Sequence, residues 1–342
     1  MFNYWFNPLK FLRNILLPFV PVYGAITWAR NYAYDHDFLE SKAYDFPLIC
    51  VGNLSVGGTG KTPMIEYLIR LLHTYRVATL SRGYKRTTKG FVIANEDSNA
   101  SSIGDEPFQF YTKFKNITVA VDANRQHGIQ KLRSLTNPPE VILLDDAYQH
   151  RKVKAGFNIL LTSYEKLYVD DMSLPTGDLR EPISGAKRAD VIIVTKCPVN
   201  LDNSTKMLIK KKLKIEKNQA LFFSSITYAN NVYALNTKMA IGALANSNFT
   251  LVTGIANPDP LVTYLEGLGL HFEHLNFSDH HKFSKREIEH LRDKELILTT
   301  EKDYTRLADD LDADKLFYLP IEVSLDDETS FNELVENFVQ EY

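Results

Sequence analysis

A short apolar run, a glycine-rich loop and an amphipathic helix follow one another near the start of the chain, and no other feature constrains the fold more. The run 47–51 (PLICV) has the composition of a buried parallel strand, and 63–75 has the apolar periodicity of a helix. The loop between them consists of Ser55, Val56, Gly57, Gly58, Thr59, Gly60, Lys61 and Thr62. Such a loop turns its N–H groups toward phosphate oxygens, while its lysine reaches the β and γ phosphates and its threonine hydroxyl faces Mg²⁺. The stretch therefore predicts a phosphate-binding loop, although Ser55 stands where the usual pattern has its first glycine.

An acidic pair at the end of a second apolar run supplies the partner that such a loop requires. Residues 141–146 read VILLDD, so Asp145 and Asp146 follow four apolar residues. Mg²⁺ held by Thr62 must also be bound from the opposite side, and carboxylates at the end of a neighbouring strand do this in related folds. Adjacent like charges are costly unless a cation lies between them. We therefore expect Thr62, Asp145 and Asp146 to hold Mg²⁺.

The base of the nucleotide is indicated by a missing residue. Proteins that bind guanine usually carry Asn-Lys-x-Asp after a late strand, and the equivalent stretch here is Thr195-Lys196-Cys197-Pro198. The carboxylate that would pair with guanine is missing. The sequence favours ATP and disfavours a GTPase-type switch.

Further apolar runs alternate with helical segments and predict a doubly wound sheet. The stretch 77–86 is expected to be a strand that enters a basic turn, and further strands are expected at 117–121, 141–146, 157–162 and 189–195, with the stretch 152–162 at a sheet edge. The predicted fold is α/β, with two α/β/α sandwich domains, the first of the P-loop NTPase type, joined by an extended β linker. The expected boundaries are 1–38 for an N-terminal helical segment, 39–200 for the nucleotide-binding domain, 201–245 for the linker and 246–342 for the second domain.

Composition limits the possible partners and the compartment. A chain of 342 residues is longer than a single hydrophobic core usually supports. Its formal net charge of −3 provides no general attraction for nucleic acid, so no nucleic-acid partner is expected. Cys50 and Cys197 lie in strand-like runs without metal-ligand or redox spacing, which is typical of a reducing cytoplasm.

The N-terminal segment is apolar but interrupted by prolines. Asn7 before Pro8 marks a helix start, and the following run 15–29 contains Pro18 and Pro21, which makes it short and kinked for a bilayer span of roughly 20 residues. Its aromatic residues are Trp5, Phe6, Phe11, Phe19 and Trp28. We expect an amphipathic segment lying on the inner face of a membrane, with a buried core helix and a signal peptide as alternatives.

Seven motifs together resemble one family. They are VGNLSVGGTGKTP, LSRGYKR, GDEP, DDAYQHR, LPTGDLREP, FSDHH and TTEKD, in that order from residue 51 to residue 303. In this order they resemble the motifs of the tetraacyldisaccharide 4′-kinases, the lipid A kinases. The resemblance implies transfer of the γ-phosphate of ATP to the 4′-hydroxyl of a lipid-linked glucosamine disaccharide 1-phosphate, at the cytoplasmic face of the inner membrane. That family's loop tolerates a small hydroxyl residue at the position of Ser55.

The same resemblance implies roles for individual residues. Asp105 of GDEP matches the family's catalytic acid and His280 its histidine partner, with the adjacent His281 as rival. An aspartate oriented by a histidine accepts the proton of a sugar hydroxyl as that hydroxyl attacks phosphorus. The candidates for gripping the disaccharide or the phosphates are Arg82, Arg125, Gln149, Arg180 and Glu181. The alternative function is a membrane-associated P-loop ATPase or nucleotide-dependent regulator without a lipid acceptor.

Overall fold

Two β-sheets with helices packed against them make up the described part of the chain. The computed structural model describes residues 15–235, 237–279 and 281–342. The strands are β1 (Leu48–Asn53), β2 (Val77–Ser81), β3 (Val92–Ile93), β4 (Thr118–Val121), β5 (Val141–Asp145), β6 (Phe157–Ser163), β7 (Val191–Thr195), β8 (Ala220–Tyr228), β9 (Asn231–Tyr233), β10 (Lys238–Ala240), β11 (Phe249–Thr253), β12 (Phe272–Asn276), β13 (Ile297–Thr300), β14 (Leu316–Leu319) and β15 (Ile321–Leu325). The helices are α1 (Val20–Asp35), α2 (Lys61–Leu71), α3 (Ala100–Ile103), α4 (Asp105–Lys113), α5 (Arg125–Arg133), α6 (Asn203–Leu213), α7 (Asp259–Gly267), α8 (Lys285–Arg292), α9 (Glu301–Leu307) and α10 (Glu328–Gln340).

The first sheet has nine strands in the order β15-β8-β7-β6-β1-β5-β2-β4-β3. Its seven inner strands run parallel, and the two edge strands, β15 and β3, pair antiparallel with β8 and β4. β1 is central and entirely buried, as are β2, β5 and β7, because helices cover both faces of the sheet. The expectation that 152–162 holds a sheet edge is wrong. β6 lies between β1 and β7, and the edges are formed by the two antiparallel strands instead.

The second sheet has six strands in the order β10-β9-β14-β13-β11-β12. β14, β13, β11 and β12 are parallel, and β9 and β10 continue the sheet as antiparallel strands. Separate apolar clusters pack against it, one around Leu251 and Leu298 and another around Leu307 and Leu316. The predicted α/β class with two sheets is confirmed.

Sheet membership differs from the expected division of the chain at two places. β8, within the expected linker, is a strand of the first sheet, and β15 with α10 returns to that sheet after the second one is complete. Phe331 and Val335 of α10 pack in the same core as α2, and the Tyr67 hydroxyl donates a 2.7 Å hydrogen bond to Asn332. The chain therefore crosses between the sheets twice. The domain boundaries themselves stay a prediction.

The N-terminal helix α1 is bound on one side to the segments that follow β5 and β6, and it exposes apolar residues on the other. It begins after a 3-10 turn, Leu17–Phe19, with Pro21 in its first turn, and buries Asn31 and Tyr34. Phe19, Val22 and Ile26 are more than half exposed. The expected helix start at Asn7 and the aromatic residues Trp5, Phe6 and Phe11 lie outside the described residues.

Candidate nucleotide and acceptor site

The phosphate-binding loop connects β1 to α2 at the carboxyl edge of the first sheet. Gly57 and Gly60 have φ of 119° and 85°, a region that side chains with a Cβ rarely adopt, and Gly60 is the N-cap of α2. The first N–H groups of this helix therefore point into the loop, where an anion binds favourably. Ser55 does not have a positive φ; it forms an antiparallel bridge with Leu179. A glycine is therefore not required at this position.

Hydrogen bonds from the ends of β1 and β7 hold the loop in place. The Asn53 side chain donates a 2.8 Å hydrogen bond to the Thr59 hydroxyl, and the Thr195 hydroxyl donates one of 2.9 Å to the Thr59 carbonyl. Thr195 ends β7, so the stretch Thr195-Lys196-Cys197-Pro198 begins beside the loop. Lys61, the first residue of α2, places its Nζ 3.7 Å from Asp146.

The two carboxylates at the end of β5 lie beside the loop and differ in charge state. Asp145 is aligned with Val51 of β1, and the Asp146 N–H donates to the Val51 carbonyl at 3.0 Å. Burial, together with the charge of Asp146, raises the pKa of Asp145 to about 6. Burial also favours the neutral form of Asp146, but Lys61 and Arg180 outweigh it and hold the pKa of Asp146 below its usual value. The pair thus contains one firmly anionic group and one that takes up a proton near neutral pH.

The donor set fits Mg²⁺. Thr62 is the second residue of α2, next to Lys61. Burial, with the charge of Asp146, raises the pKa of Asp145, and a divalent cation bound there would favour its charged form. Oxygen ligands suit Mg²⁺, which keeps several waters and uses substrate phosphates rather than a complete protein cage. Across 15–235, 237–279 and 281–342, no group of three or more His, Cys, Asp or Glu side chains could hold a metal alone. Magnesium binding by Thr62, Asp145 and Asp146 stays a prediction.

Three of the residues expected to grip the substrate form a network with the loop. Arg180 donates two hydrogen bonds to Asp146, at 2.8 and 3.1 Å, and a further one to the Asn53 side chain. Gln149 donates to the Asn53 carbonyl at 2.8 Å and to Glu181 at 2.9 Å. In this geometry Arg180 orients Asp146, and Gln149 links the end of β1 to Glu181.

Glu181 is buried and ties α1 to this network. Both of its oxygens accept from Arg188 at 2.9 Å, and Asn31 of α1 donates to one of them at 2.8 Å. The Tyr23 hydroxyl of α1 also donates to the Arg180 carbonyl at 2.9 Å. The sequence pattern gave no signal for Asn31 or Tyr23, because their partners are 150 and 157 residues away.

Arg82 follows β2 and Arg125 begins α5, which packs on β2 and β4, so both belong to the side of β5 away from β1. Arg82 is exposed at the end of β2, and it repels the buried Arg125 electrostatically. Arg125 donates to the carbonyls of Asp122 and Ala123 at 3.0 and 3.3 Å, while its buried Nε has no hydrogen-bond partner in the structure. Burial lowers the pKa of Arg125, and the carboxylates Asp145 and Asp146 partly offset this effect.

Asp105 begins α4 and lies at a contact between the two sheets. It follows Gly104, where an added Cβ would stand 3.2 Å from the Gly83 Cα, so the GDEP and SRGYKR turns pack closely. The Asp105 carboxylate accepts a short hydrogen bond from Arg306 of α9, and Arg306 also bonds Asp303 at 3.1 Å. Sequence reasoning missed Arg306. The available signal was its position three residues after Asp303 of the TTEKD motif, on the same helix face.

Of the two candidate histidines, the structure describes only His281. His281 is engaged: its Nε2 lies 3.1 Å from Glu287, and its ring stacks on Phe277 with a centroid distance of 4.8 Å. His280 lies outside the described residues. Asp279, which precedes it in the sequence, lies 4.0 Å from Lys302, and Glu106, which follows Asp105, lies at the same distance from Lys302. The choice between His280 and His281 stays a prediction.

Comparisons with known proteins identify the family of this chain. The model of the family Tetraacyldisaccharide-1-P 4′-kinase matches residues 12–340. A protein named tetraacyldisaccharide 4′-kinase from Flavobacterium johnsoniae is 51% identical over 338 residues, which cover 97% of this chain and 99% of that protein. One with the same name from Bacteroides thetaiotaomicron is 44% identical and covers 95% of this chain and 93% of its own length. A crystal structure of LpxK from Aquifex aeolicus in complex with ATP superposes with a TM-score of 0.80 at 31% identity, covering 96% of this chain and 99% of the other. The chain belongs to the tetraacyldisaccharide 4′-kinase family.

Proposed function

We propose that this chain transfers the γ-phosphate of ATP to the 4′-hydroxyl of a tetraacyldisaccharide 1-phosphate. The observation that carries the proposal is the loop 55–62 with Lys61 beside the carboxylates of β5, in a chain that matches the kinase family over residues 12–340. A loop of this kind supports ATP hydrolysis equally well. The family membership and the acceptor side favour a kinase over an ATPase without a lipid acceptor.

On the nucleotide side, the protein positions phosphates and neutralises charge. The N–H groups of the loop and of the first turn of α2 bind the phosphates, and Lys61 stabilises the negative charge that develops on the transferring group. Arg180 keeps Asp146 in a fixed orientation beside Lys61. Bound between Thr62 and the carboxylates Asp145 and Asp146, Mg²⁺ would supply charge neutralisation for the phosphates.

On the acceptor side, Asp105 accepts the proton of the 4′-hydroxyl, and His280 is its partner. Support comes from the family motif and from the position of Asp105, whose turn packs against the SRGYKR turn next to β5. A loose phosphoryl transition state needs the proton only late, so orientation of the carboxylate matters more than its basicity. Lys302 bridges Glu106 and Asp279, which are the sequence neighbours of the two proposed groups.

The anionic 1-phosphate of the acceptor requires cationic partners. Arg82 is exposed, and Arg125 has a buried Nε without a hydrogen-bond partner in the structure. Guanidinium groups bind phosphate with two parallel hydrogen bonds. We assign these two arginines to phosphate recognition, whereas Gln149, Arg180 and Glu181 act through the network that orients the loop.

The acyl chains of the acceptor place the enzyme at a membrane surface, which we propose to be the cytoplasmic face of the inner membrane. Phe19, Val22 and Ile26 follow one another at spacings of three and four residues and are 59%, 57% and 64% exposed. A helix that exposes such a row while its other side is bound to the protein fits peripheral or monotopic binding. Among the helices of the described part of the chain, none has the length and apolarity needed to cross a bilayer.

The test of the proposal is a transfer assay with radiolabelled ATP and tetraacyldisaccharide 1-phosphate in mixed micelles. We expect label in the lipid product, formed only when protein, ATP and acceptor are all present. Release of inorganic phosphate at the same rate with and without acceptor, and no labelled lipid, would support the ATPase instead.

A further inference from the structure

The Asp105–Arg306 contact joins the two sheets at the proposed catalytic residue. Asp105 belongs to α4, which packs on the first sheet, and Arg306 belongs to α9, which follows β13 of the second. The two residues are 201 positions apart. Both side chains are largely buried, with 11% of Arg306 and 24% of Asp105 exposed. An ion pair this poorly solvated depends on good geometry, and its arginine restricts the orientation of the carboxyl group.

Arg306 is itself held by a buried carboxylate. Its Nη1 bonds Asp303 at 3.1 Å, while its Nη2 is the atom that contacts Asp105. Asp303 is fully buried and also accepts from the Gly254 N–H at 2.7 Å and from the Thr300 hydroxyl at 2.8 Å. Asp303 thus fixes one nitrogen of the Arg306 guanidinium to the second sheet, and the other nitrogen contacts Asp105 across the two helices.

A second ion-pair group fastens the opposite end of α4. Lys113, the last residue of α4, lies 2.7 Å from Glu301 at the start of α9 and 2.6 Å from Glu66 of α2. The helices α4 and α9 are therefore tied at both ends. Rotation of α4 against the second sheet would break both groups.

We propose that Arg306 is a positioning residue that orients the Asp105 carboxylate for the acceptor hydroxyl and makes this orientation depend on docking of the two sheets. The inference rests on the proposed role of Asp105. A lysine cannot replace Arg306 fully, because a single ammonium group cannot hold Asp303 and Asp105 with two nitrogens in a fixed plane.

The test compares R306M, R306K and D105A with R292M in the transfer assay, with KM for ATP and the pH profile of kcat measured for each active variant. Arg292 is a matched control, because it is an exposed arginine in a helix that packs with the second sheet, and its guanidinium donates to the Asp310 carbonyl at 3.1 and 3.0 Å. We expect R306M to lower kcat by about 100-fold, as misplaced catalytic groups do, with KM for ATP within about twofold of wild type. R306K should lose about tenfold, and R292M should match wild type.

The pH profile separates positioning from mere structural support. Among the described residues, the charged groups around this contact are Arg306, its other partner Asp303, Glu106 on the helix of Asp105, and Lys302 of α9, which lies 4.0 Å from both Glu106 and Asp279. A carboxylate that loses its cationic neighbour takes up a proton more readily, so the acid limb of the R306M profile should move up by about one pH unit. R306K retains the charge, and its limb should stay in place.

The outcomes distinguish the inference from the function on which it rests. If D105A transfers phosphate like wild type, the proposed role of Asp105 fails. If D105A is inactive while R306M keeps kcat within threefold and an unmoved profile, or gains activity, only the inference about Arg306 is overturned. Should R306M not fold, R306K decides alone: a kcat equal to that of wild type overturns the inference, and a tenfold loss at unchanged KM for ATP supports it.

Discussion

At the scale of single residues, Lys61 carries most of the proposed phosphoryl-transfer chemistry. Its side chain is 19% exposed, and its ammonium group lies 3.7 Å from Asp146. We expect K61A to fold normally and to lose phosphoryl transfer, because the lysine stabilises charge on the transferring group. The measurement is kcat, with thermal unfolding as the check on folding. The exposed Lys210 on α6 provides the control K210A, and a K61A enzyme within about tenfold of wild type, or about 1.4 kcal/mol of barrier, would refute the loop assignment.

Asp145 should make the stability of the nucleotide-free protein depend on pH. Its folded pKa of about 6 is above the ordinary value, so in the folded state it binds a proton that the unfolded chain has released. The free energy of unfolding should therefore fall as the pH rises from about 4 through about 6, by up to about 3 kcal/mol in total.

Chemical denaturation between pH 4.5 and 8 tests this for wild type and for D145N, which cannot titrate. As the pH rises, the free energy of unfolding of wild type should fall relative to that of D145N. Parallel curves would mean that burial does not perturb Asp145. The exposed D97N variant serves as the control and should follow wild type throughout.

Much of the site at this scale was predictable, and what was not depended on distant partners. The loop 55–62 and the Asp145–Asp146 pair are local patterns, since spacing along the chain determines their chemistry. Asn31 acts only through residues that the fold brings close, so no local pattern could reveal it, and the spacing of Arg306 from Asp303 gives no indication of its contact with Asp105, 201 positions away. Glu181 was recognised from its motif as a candidate site residue, but the motif did not indicate that its carboxylate binds Arg188 and Asn31 of α1.

At the scale of elements, the strands were predictable and their order was not. Short apolar runs predict buried parallel strands because both faces of the sheet are covered, and β1, β2, β4, β5, β6 and β7 all coincide with predicted runs. The same runs do not indicate which strands are adjacent in the sheet, so β6 was expected at an edge but lies between β1 and β7. The amphipathic pattern of α10 would pack equally well on either sheet, and it is the pairing of β15 with β8 that brings it back to the first.

The exposed row on α1 leads to a prediction at the same scale. Deleting 1–38 would also remove Asn31 and Tyr23, which support the loop network, so substitution is the cleaner test. We expect F19S/V22S/I26S to lose the liposome binding that resists high salt, because burial of such side chains contributes about 1.5–3 kcal/mol each. Sedimentation with liposomes measures it, with M207S/L208S on α6 as a control that removes two other exposed apolar side chains. Undiminished salt-resistant binding by the triple variant would count against α1 as the membrane contact.

At the scale of the whole molecule, the proposed catalytic pair requires both sheets. Asp105 packs with the first sheet, and position 280 follows β12 of the second, so the two groups can act together only while the sheets are docked. The structure shows such docking through Arg306 and through Lys113. His281 has a different set of contacts, because its partners Glu287 and Phe277 belong to its own neighbourhood in the chain.

The proposed pairing of Asp105 with His280 can be tested against His281 by mutation. If Asp105 and His280 form one proton-accepting unit, D105A and H280A should each lower kcat by about 10²- to 10⁴-fold, and the double variant should be little worse than the worse single one. Affinity for ATP should barely change, since the loop and Lys61 are untouched. H281A should instead lower the free energy of unfolding by about 1 kcal/mol, through the lost ring stacking, with little effect on kcat. Losses of kcat that multiply fully in the double variant, or a larger loss in H281A than in H280A, would show that the pair is assigned to the wrong residues, because groups that share one proton transfer cannot each contribute independently to its rate.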